Sequence, residues 1–212
     1  MNKHIMHHLV YRCFLIAALL LLPGCSINTV KEFYSLSYQP NVERPSNQST
    51  KMQYPLPYRL EIGDFDINRI YDRNAIVIRQ SLHKMVFDEK QLWAYRPHKS
   101  ATELLISHVN ASGLFAECRN EFMDSYADYY ITGRINNIER YQNLLMNFAY
   151  LDFDISFLDK NKKVLITRHI RRDIKLEGEN TAFFVKSLSD VFKEEFSGFI
   201  NSIFLYFENS KQ

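Results

Sequence analysis

The sequence is poor in glycine, with 6 in 212 residues, and these lie far apart along the chain. Loops that cradle phosphate groups need several glycines within a few residues. No Walker loop, GxGxxG motif or GxSxG motif is present. The scarcity of glycine therefore weighs against a nucleotide-binding enzyme.

Cysteine is also scarce, and the 3 present do not support a disulfide framework. Cys13 and Cys25 fall in the N-terminal targeting segment described below, so Cys118 would have no internal partner. We predict Cys118 to be a buried, small apolar residue of a strand, because no local pattern around it indicates a nucleophile.

Net charge is nearly absent, since 26 Lys and Arg face 24 Asp and Glu. This balance gives no electrostatic reason to bind nucleic acid. Arg168, Arg171 and Arg172 form the main basic cluster. They predict a charged strand face, with contact to anionic lipid headgroups as the alternative.

Patterns for metal binding and acid–base catalysis are missing as well. The four histidines beyond residue 24 are not at HxxxH or HxH spacing, so we expect neither a metal nor a cofactor. Asp152 and Asp154 would point the same way from one strand. They could be paired catalytic carboxylates, but we favour an exposed face paired across a hairpin with Arg168 or Arg171.

What is present begins with a targeting signal. Lys3 and Arg12 are followed by Cys13–Leu22, an apolar run of ten residues that is too short to span a bilayer and typical of a signal-peptide core. The next segment, Leu21-Leu-Pro-Gly-Cys25, resembles a bacterial lipobox. We predict residues 1–24 to be a lipoprotein signal peptide.

Cys25 would then carry diacylglycerol and an N-acyl chain such as palmitate, which anchor the chain in a membrane. The alternative is an ordinary secretory signal or a short N-terminal anchor. Ser26 replaces the Asp that retains many Gram-negative lipoproteins in the inner membrane. By that resemblance we expect the periplasmic face of the outer membrane.

The remaining sequence predicts a short tether at 25–31 and a single periplasmic domain at 32–208. Alternating segments predict strands at 32–38, 58–65, 75–80, 84–87, 114–118, 128–141, 145–158 and 164–174. A proline-rich loop occupies 39–57. The fold class is α+β: a mostly antiparallel sheet with two amphipathic helices packed on one face.

The two helices have recognisable ends. Ser100-Ala-Thr-Glu103 predicts a capping box at the start of the first helix, and Gly113 predicts its end. Asn180 is expected to cap a long Phe-rich helix. Because this helix has more Phe than one sheet face needs, we predict Phe183, Tyr206 and Phe207 to be partner or oligomer contacts.

Several short motifs now stand in a definite order: Cys25, Phe33-Tyr-Ser-Leu36, Tyr71-Asp-Arg-Asn-Ala-Ile-Val-Ile-Arg79, Trp93-Ala94, Ser112-Gly-Leu-Phe115, Tyr130-Ile-Thr-Gly-Arg-Ile135 and the Phe-rich helix. This series resembles the ABC-type transport auxiliary lipoprotein family, whose members include the PqiC/YmbA-like lipoproteins of paraquat-inducible, Mce-type lipid transport systems. The resemblance covers about residues 30–205.

The resemblance implies a non-enzymatic lipoprotein that docks onto an Mce-domain tunnel protein of an ABC lipid transporter and self-associates. Tyr71, Asp72 and Arg73 form the family's signature turn, in which we expect Asp72 to close the turn and Arg73 to pair or pack along Tyr71. These three residues and Trp93 are also candidate partner contacts, although Trp93 is equally a core anchor.

Two other classes of function remain open. A lipoprotein that assists outer-membrane or lipopolysaccharide assembly would have the same N-terminal signal. An enzyme would need converging titratable groups with strongly shifted pKa values.

The lipid anchor gives the first testable prediction. Replacing Cys25 with Ser should abolish acylation and move the protein from the membrane to the soluble fraction, as measured by radiolabelled palmitate incorporation and fractionation. An unchanged membrane pool would contradict the anchoring assignment.

Overall fold

The computed structural model describes residues 30–40, 54–123 and 126–210. The predictions for Cys25 and for the signal peptide fall outside the described residues, and so does most of the loop at 39–57. The described strands and helices from residue 31 onward belong to one compact unit.

Nine strands and two helices make up the described structure. In chain order they are β1 (Glu32–Tyr34), β2 (Leu56–Ile62), β3 (Asp66–Ile67), β4 (Ala75–Ser81), β5 (Lys84–Trp93), α1 (Pro97–Ser112), β6 (Phe115–Arg119), β7 (Tyr129–Gln142), β8 (Asn147–Asp159), β9 (Val164–Lys175) and α2 (Thr181–Asn209).

Strand β7 organises the sheet. One of its edges pairs antiparallel with β8 along its whole length, and β8 pairs in turn with β9. The other edge receives three shorter strands in parallel, with β2 and β3 near the start of β7 and β4 near its end. Strands β5 and β1 extend the sheet beyond β4, and β6 lies beside β2.

The predicted α+β class is confirmed, and the sheet is mixed but mostly antiparallel. Its long pairings, β4–β5, β7–β8 and β8–β9, are antiparallel, whereas the parallel pairings are short. In β8, the alternation of apolar and polar residues in the sequence corresponds to alternating burial in the sheet. Leu151, Phe153, Ile155 and Phe157 are buried beneath α2, while the residues between them are half-exposed.

Helix α1 begins four residues earlier than the capping box predicted, with Arg96 and not Ser100 as its N-cap residue, so that prediction is wrong. Pro97 occupies the first turn, and no side chain caps the helix. Proline fixes the backbone in a helical conformation there, which moves the start upstream. Ser100 is inside the helix, where its amide donates to the Arg96 carbonyl. Gly113 ends the helix in the left-handed conformation, as expected.

Helix α2 contributes more residues to the main hydrophobic core than any other element of the described chain. The Asn180 side chain accepts a hydrogen bond from the Ala182 amide and caps the helix, as predicted. The Phe192 ring lies 5.2 Å from the Phe153 ring of β8, measured between centroids. Aromatic pairs at this distance contribute about 0.5–1.5 kcal/mol each beyond simple burial.

Several strand boundaries differ from the sequence predictions, and β1 ends at Tyr34 instead of continuing to residue 38. Strand β2 begins within the predicted loop, at Leu56, because its amide donates to the Leu114 carbonyl beside β6. Strand β5 continues to Trp93 after an irregularity in its pairing with β4. Leu145 was expected on the buried face of β8, but it lies in the β7–β8 turn and is exposed.

The packing of Gly133 gives a prediction for stability. A Cβ at this position of β7 would overlap the buried Phe65 ring. We therefore expect Gly133→Ala to lower the free energy of unfolding by about 1–3 kcal/mol in urea denaturation. Gly63→Ala is the matched control, because no atom lies within 4 Å of its added Cβ. Equal effects of the two substitutions would contradict the packing.

Candidate functional site

The signature turn is tied to the sheet by a buried polar network. The Tyr71 hydroxyl donates to Glu139 Oε2 at 2.8 Å, and Arg79 Nε donates to Glu139 Oε1 at 2.6 Å. Asn137 Nδ2 donates to the Tyr71 hydroxyl at 2.7 Å. Tyr71 and Glu139 are both 2% exposed, so each depends on these partners for its hydrogen bonds.

The network shifts the pKa values of two of its members. Burial raises the pKa of Tyr71 to about 12, and its hydrogen bond to Glu139 adds to the effect. The hydrogen bond from Arg79 to Glu139 raises the pKa of the guanidinium. Both carboxylate oxygens of Glu139 accept hydrogen bonds within the network.

Asp72 and Arg73 differ from their predicted roles. Asp72 does not close the turn, whose backbone bonds run from the Tyr71 amide to the Asn68 carbonyl and from the Arg73 amide to the Tyr71 carbonyl. Instead, Asp72 accepts a hydrogen bond from Arg96 at 2.7 Å.

The Arg73 guanidinium lies over the half-exposed Phe87 ring at 3.8 Å and does not pack along Tyr71. Its Nε also donates to the Ile70 carbonyl at 2.7 Å. The local motif did not indicate this stacking, because Phe87 lies on strand β5.

Three candidate contact residues belong to the core. Tyr71, Trp93 and Phe207 are buried. Trp93 packs against Phe184 of α2 with ring centroids 6.0 Å apart, and its backbone amide donates to the Asn74 carbonyl. These side chains stabilise the fold and do not form a docking surface, which corrects their assignment as contacts.

The other two aromatic candidates reach the surface of α2. Phe183 is 48% exposed near the start of the helix. Tyr206 is half-buried near its end, 6.2 Å from the Phe157 ring and 5.3 Å from the Phe207 ring. The helix separates these two residues, so they do not form a single patch.

A polar cluster lies on the sheet face opposite α2. Asn136 Nδ2 donates to Asp152 and Asp154 at 2.9 and 2.7 Å, and His169 Nδ1 is 2.8 Å from Asp154. The hydrogen bond to Asp154 raises the pKa of His169. Partial burial raises the pKa of Asp154, but the hydrogen bonds from Asn136 and His169 outweigh this and lower it. Arg171 lies opposite Asp152 across the hairpin, but His169, and not Arg168 or Arg171, forms the ion pair with Asp154.

Arg168 and Arg172 instead point to the helix-covered face. Both form ion pairs with Glu195 of α2, whose side chain is 3% exposed. Period-two alternation places Arg168, Ile170 and Arg172 on one face of the edge strand β9. The sequence did not indicate that α2 covers this face and brings Glu195 to the two arginines.

Three observations bear on catalysis, metal binding and membrane crossing. Burial raises the pKa of the Cys118 thiol to about 12, which keeps it protonated and unreactive. Within residues 30–40, 54–123 and 126–210, no His, Cys, Asp or Glu cluster could hold a metal ion. No helix in the same part of the chain has the length and apolarity needed to cross a bilayer.

Sequence reasoning missed the apolar turn at Leu144, Leu145 and Met146, which is exposed. The hydrophobicity of Leu145 and Met146 predicts the start of a strand. Asn143 and Asn147, which flank it, are the signal that could have identified a turn.

No family model matches the chain, and no curated protein matches it in sequence. Solved structures do share its fold. A Xanthomonas campestris protein described as a member of the DUF330 family superposes with a TM-score of 0.68 at 14% identity, covering 85% of this chain and 99% of that one. An uncharacterized protein superposes with a TM-score of 0.63 at 14% identity, covering 82% and 99%.

A looser likeness connects the chain with the lipoprotein GNA1162 of Neisseria meningitidis. Its TM-score is 0.35 at 9% identity, covering 65% of this chain and 97% of that one. This likeness is too distant to support an inference.

The buried network around the turn gives a prediction. Tyr71→Phe removes a donor to Glu139 and an acceptor for Asn137, so it should lower the free energy of unfolding by about 1–3 kcal/mol. Tyr141→Phe, at a half-exposed hydroxyl on the same strand as Glu139, should change it by less than about 0.5 kcal/mol. Urea denaturation measures both, and a neutral Tyr71→Phe would contradict the role of the network.

Proposed function

We propose that the protein is an outer-membrane-anchored periplasmic lipoprotein that acts as a non-enzymatic auxiliary subunit of an ABC/Mce-type intermembrane lipid transport system. It would bind an Mce-domain tunnel protein, hold it near the outer membrane and self-associate there. Its anchor would be the acyl chains on Cys25, and it would need no other cofactor.

The signature turn is the observation that carries this proposal. In the sequence, Tyr71-Asp-Arg is one of the motifs that resemble the auxiliary lipoprotein family. In the structure, Tyr71 is fixed to Glu139 and thereby presents Asp72 and Arg73 at the surface. The fold shared with the Xanthomonas protein of the DUF330 family supports the same assignment at the level of architecture.

The pairing of the buried charges supports a binding role over catalysis. Glu139 is held by Arg79, and Glu195 is held by Arg168 and Arg172. Such pairs stabilise a particular arrangement of elements, whereas catalytic carboxylates are usually left free to exchange a proton with substrate. An adaptor needs only a rigid surface.

The C-terminal end of α2 is a suitable place for a protein partner. Leu205 is 48% exposed and Tyr206 is half-buried beside it. Aromatic and apolar side chains that are partly exposed on a rigid helix are typical of interface anchors. Phe207, the next residue, is buried and holds this turn of the helix against the core.

Site-specific crosslinking tests the proposal. A photoreactive phenylalanine at Tyr206 should capture an Mce-domain protein in whole cells, as identified by mass spectrometry of the affinity-purified adduct. The same probe at Glu89, an exposed residue of β5, is the matched control and should capture it far less.

The identity of the adduct separates the two classes of lipoprotein. Capture of a β-barrel or of a lipopolysaccharide-export component would favour the envelope-assembly alternative. Capture of an Mce-domain protein equally from both positions would contradict the assignment of the helix end as the contact.

A further inference from the structure

Two neighbouring turns expose apolar side chains at one end of the sheet. Leu82 of the β4–β5 turn is 76% exposed, and Leu144, Leu145 and Met146 of the β7–β8 turn are 104%, 91% and 47% exposed. Together these four residues are called the apolar tip. Neither turn contains an acidic residue.

The two turns lie side by side because of the sheet register. Strands β4 and β7 run parallel, with Ile78 opposite Arg140 and Arg79 opposite Tyr141. Both strands therefore end at the same edge of the molecule. Asn143 Nδ2 donates to the Gln80 carbonyl at 3.3 Å and connects the turns directly.

Polar groups of the β7–β8 turn form hydrogen bonds within the turn. The Asn143 amide donates to the Met146 carbonyl at 2.9 Å. The Asn143 side chain accepts hydrogen bonds from the Leu145 and Met146 amides, both at 2.9 Å. This pattern fixes the turn while leaving its apolar side chains outside the core.

The chain enters β1 from this same end. Strand β1 is parallel to β5, with Glu32 opposite Gln91, and β5 runs away from its hairpin turn. The N-terminal end of β1, at Glu32, therefore faces the turn. Val30, the first described residue, is exposed.

The length of the chain outside the sheet matches the distance to be covered. Leu92, next to Gln91, lies opposite Ala75, and β4 continues from there to Ser81 at the hairpin. This part of β4 is about 20 Å long at ~3.3 Å per residue. Cys25 and Glu32 are seven residue steps apart, and a chain of that length can reach at most about 25 Å.

We propose that the apolar tip inserts into the acyl boundary of the membrane leaflet that holds the Cys25 lipid. This inference rests on the proposed function in taking Cys25 as the lipid anchor. The anchor and the tip form two contacts with one leaflet, which fix the orientation of the domain. Interfacial apolar side chains enter a membrane by about 5–10 Å.

The opposite end of the sheet is the competing surface, since Met123 and Tyr126 are also exposed there. The chain at Glu32 points away from that end, and the β8–β9 turn beside it contains Lys160, Lys162 and Lys163. The limited length of chain between Cys25 and Glu32 therefore favours insertion of the apolar tip over insertion of the opposite end.

Lipid quenching of a fluorophore tests this orientation. The full-length lipidated protein, with Leu145→Cys, is labelled with an environment-sensitive dye and reconstituted into vesicles of phosphatidylethanolamine and phosphatidylglycerol. The introduced thiol reacts selectively, because Cys118 is buried and Cys25 would be blocked by its lipid. Lys160→Cys, in the turn at the other end, is the matched control.

Lipids that carry a shallow nitroxide should quench the dye at position 145 by about twofold and leave position 160 nearly unchanged. Equal quenching, or quenching only at position 160, would overturn the proposal. A blue shift at position 145 that needs no vesicles and grows with protein concentration would assign the tip to contacts between copies of the chain, and would also overturn it.

Flotation of the same vesicles separates this inference from the proposed function. Loss of flotation for both labelled proteins would contradict the lipid anchor and the tip together. Flotation without quenching at position 145 would overturn the tip alone. Neither result depends on an Mce-domain partner, which is absent from the vesicles.

Discussion

The packing of α2 across β8 is the constraint on which the rest of the structure depends. Phe192 and Phe196 lie against Phe153, and they join the helix to the most extensively paired part of the sheet. Burial of each such side chain contributes roughly 1.5–3 kcal/mol. Because β7 and β8 are fixed in this way, the shorter strands can be added along the free edge of β7, and the signature turn is positioned beside it.

Buried ion pairs determine how these layers are aligned. Glu195 joins α2 to β9 through Arg168 and Arg172, and Glu139 joins β7 to β4 through Arg79 and to the turn through the Tyr71 hydroxyl. Removing Arg79 would leave the carboxylate of Glu139 buried without its counter-charge, and such a loss typically costs about 3–5 kcal/mol. The helix and the turn are therefore held in one arrangement, as a rigid docking subunit requires.

Periodicity in the sequence predicted the regular elements well and the contacts between them poorly. The alternation of β8 and the Phe stripe of α2 both follow from burial of one face, which a single segment reveals. The predictions for Leu145 and for the Ser100 capping box were wrong for local reasons. Asn residues fix the turn that contains Leu145, and Pro97 fixes the start of α1 before Ser100. The partners of Glu139 and Asp154 lie on other strands, and only the sheet register brings them together.

Electron cryomicroscopy of the tagged protein, purified from native membranes with its partners, tests the central claim most directly. We expect density for copies of this chain bound to an Mce-domain assembly, with the α2 end near Tyr206 at the contact. Density for this chain on a β-barrel, or for this chain alone from membranes that retain the Mce complex, would contradict the proposed role.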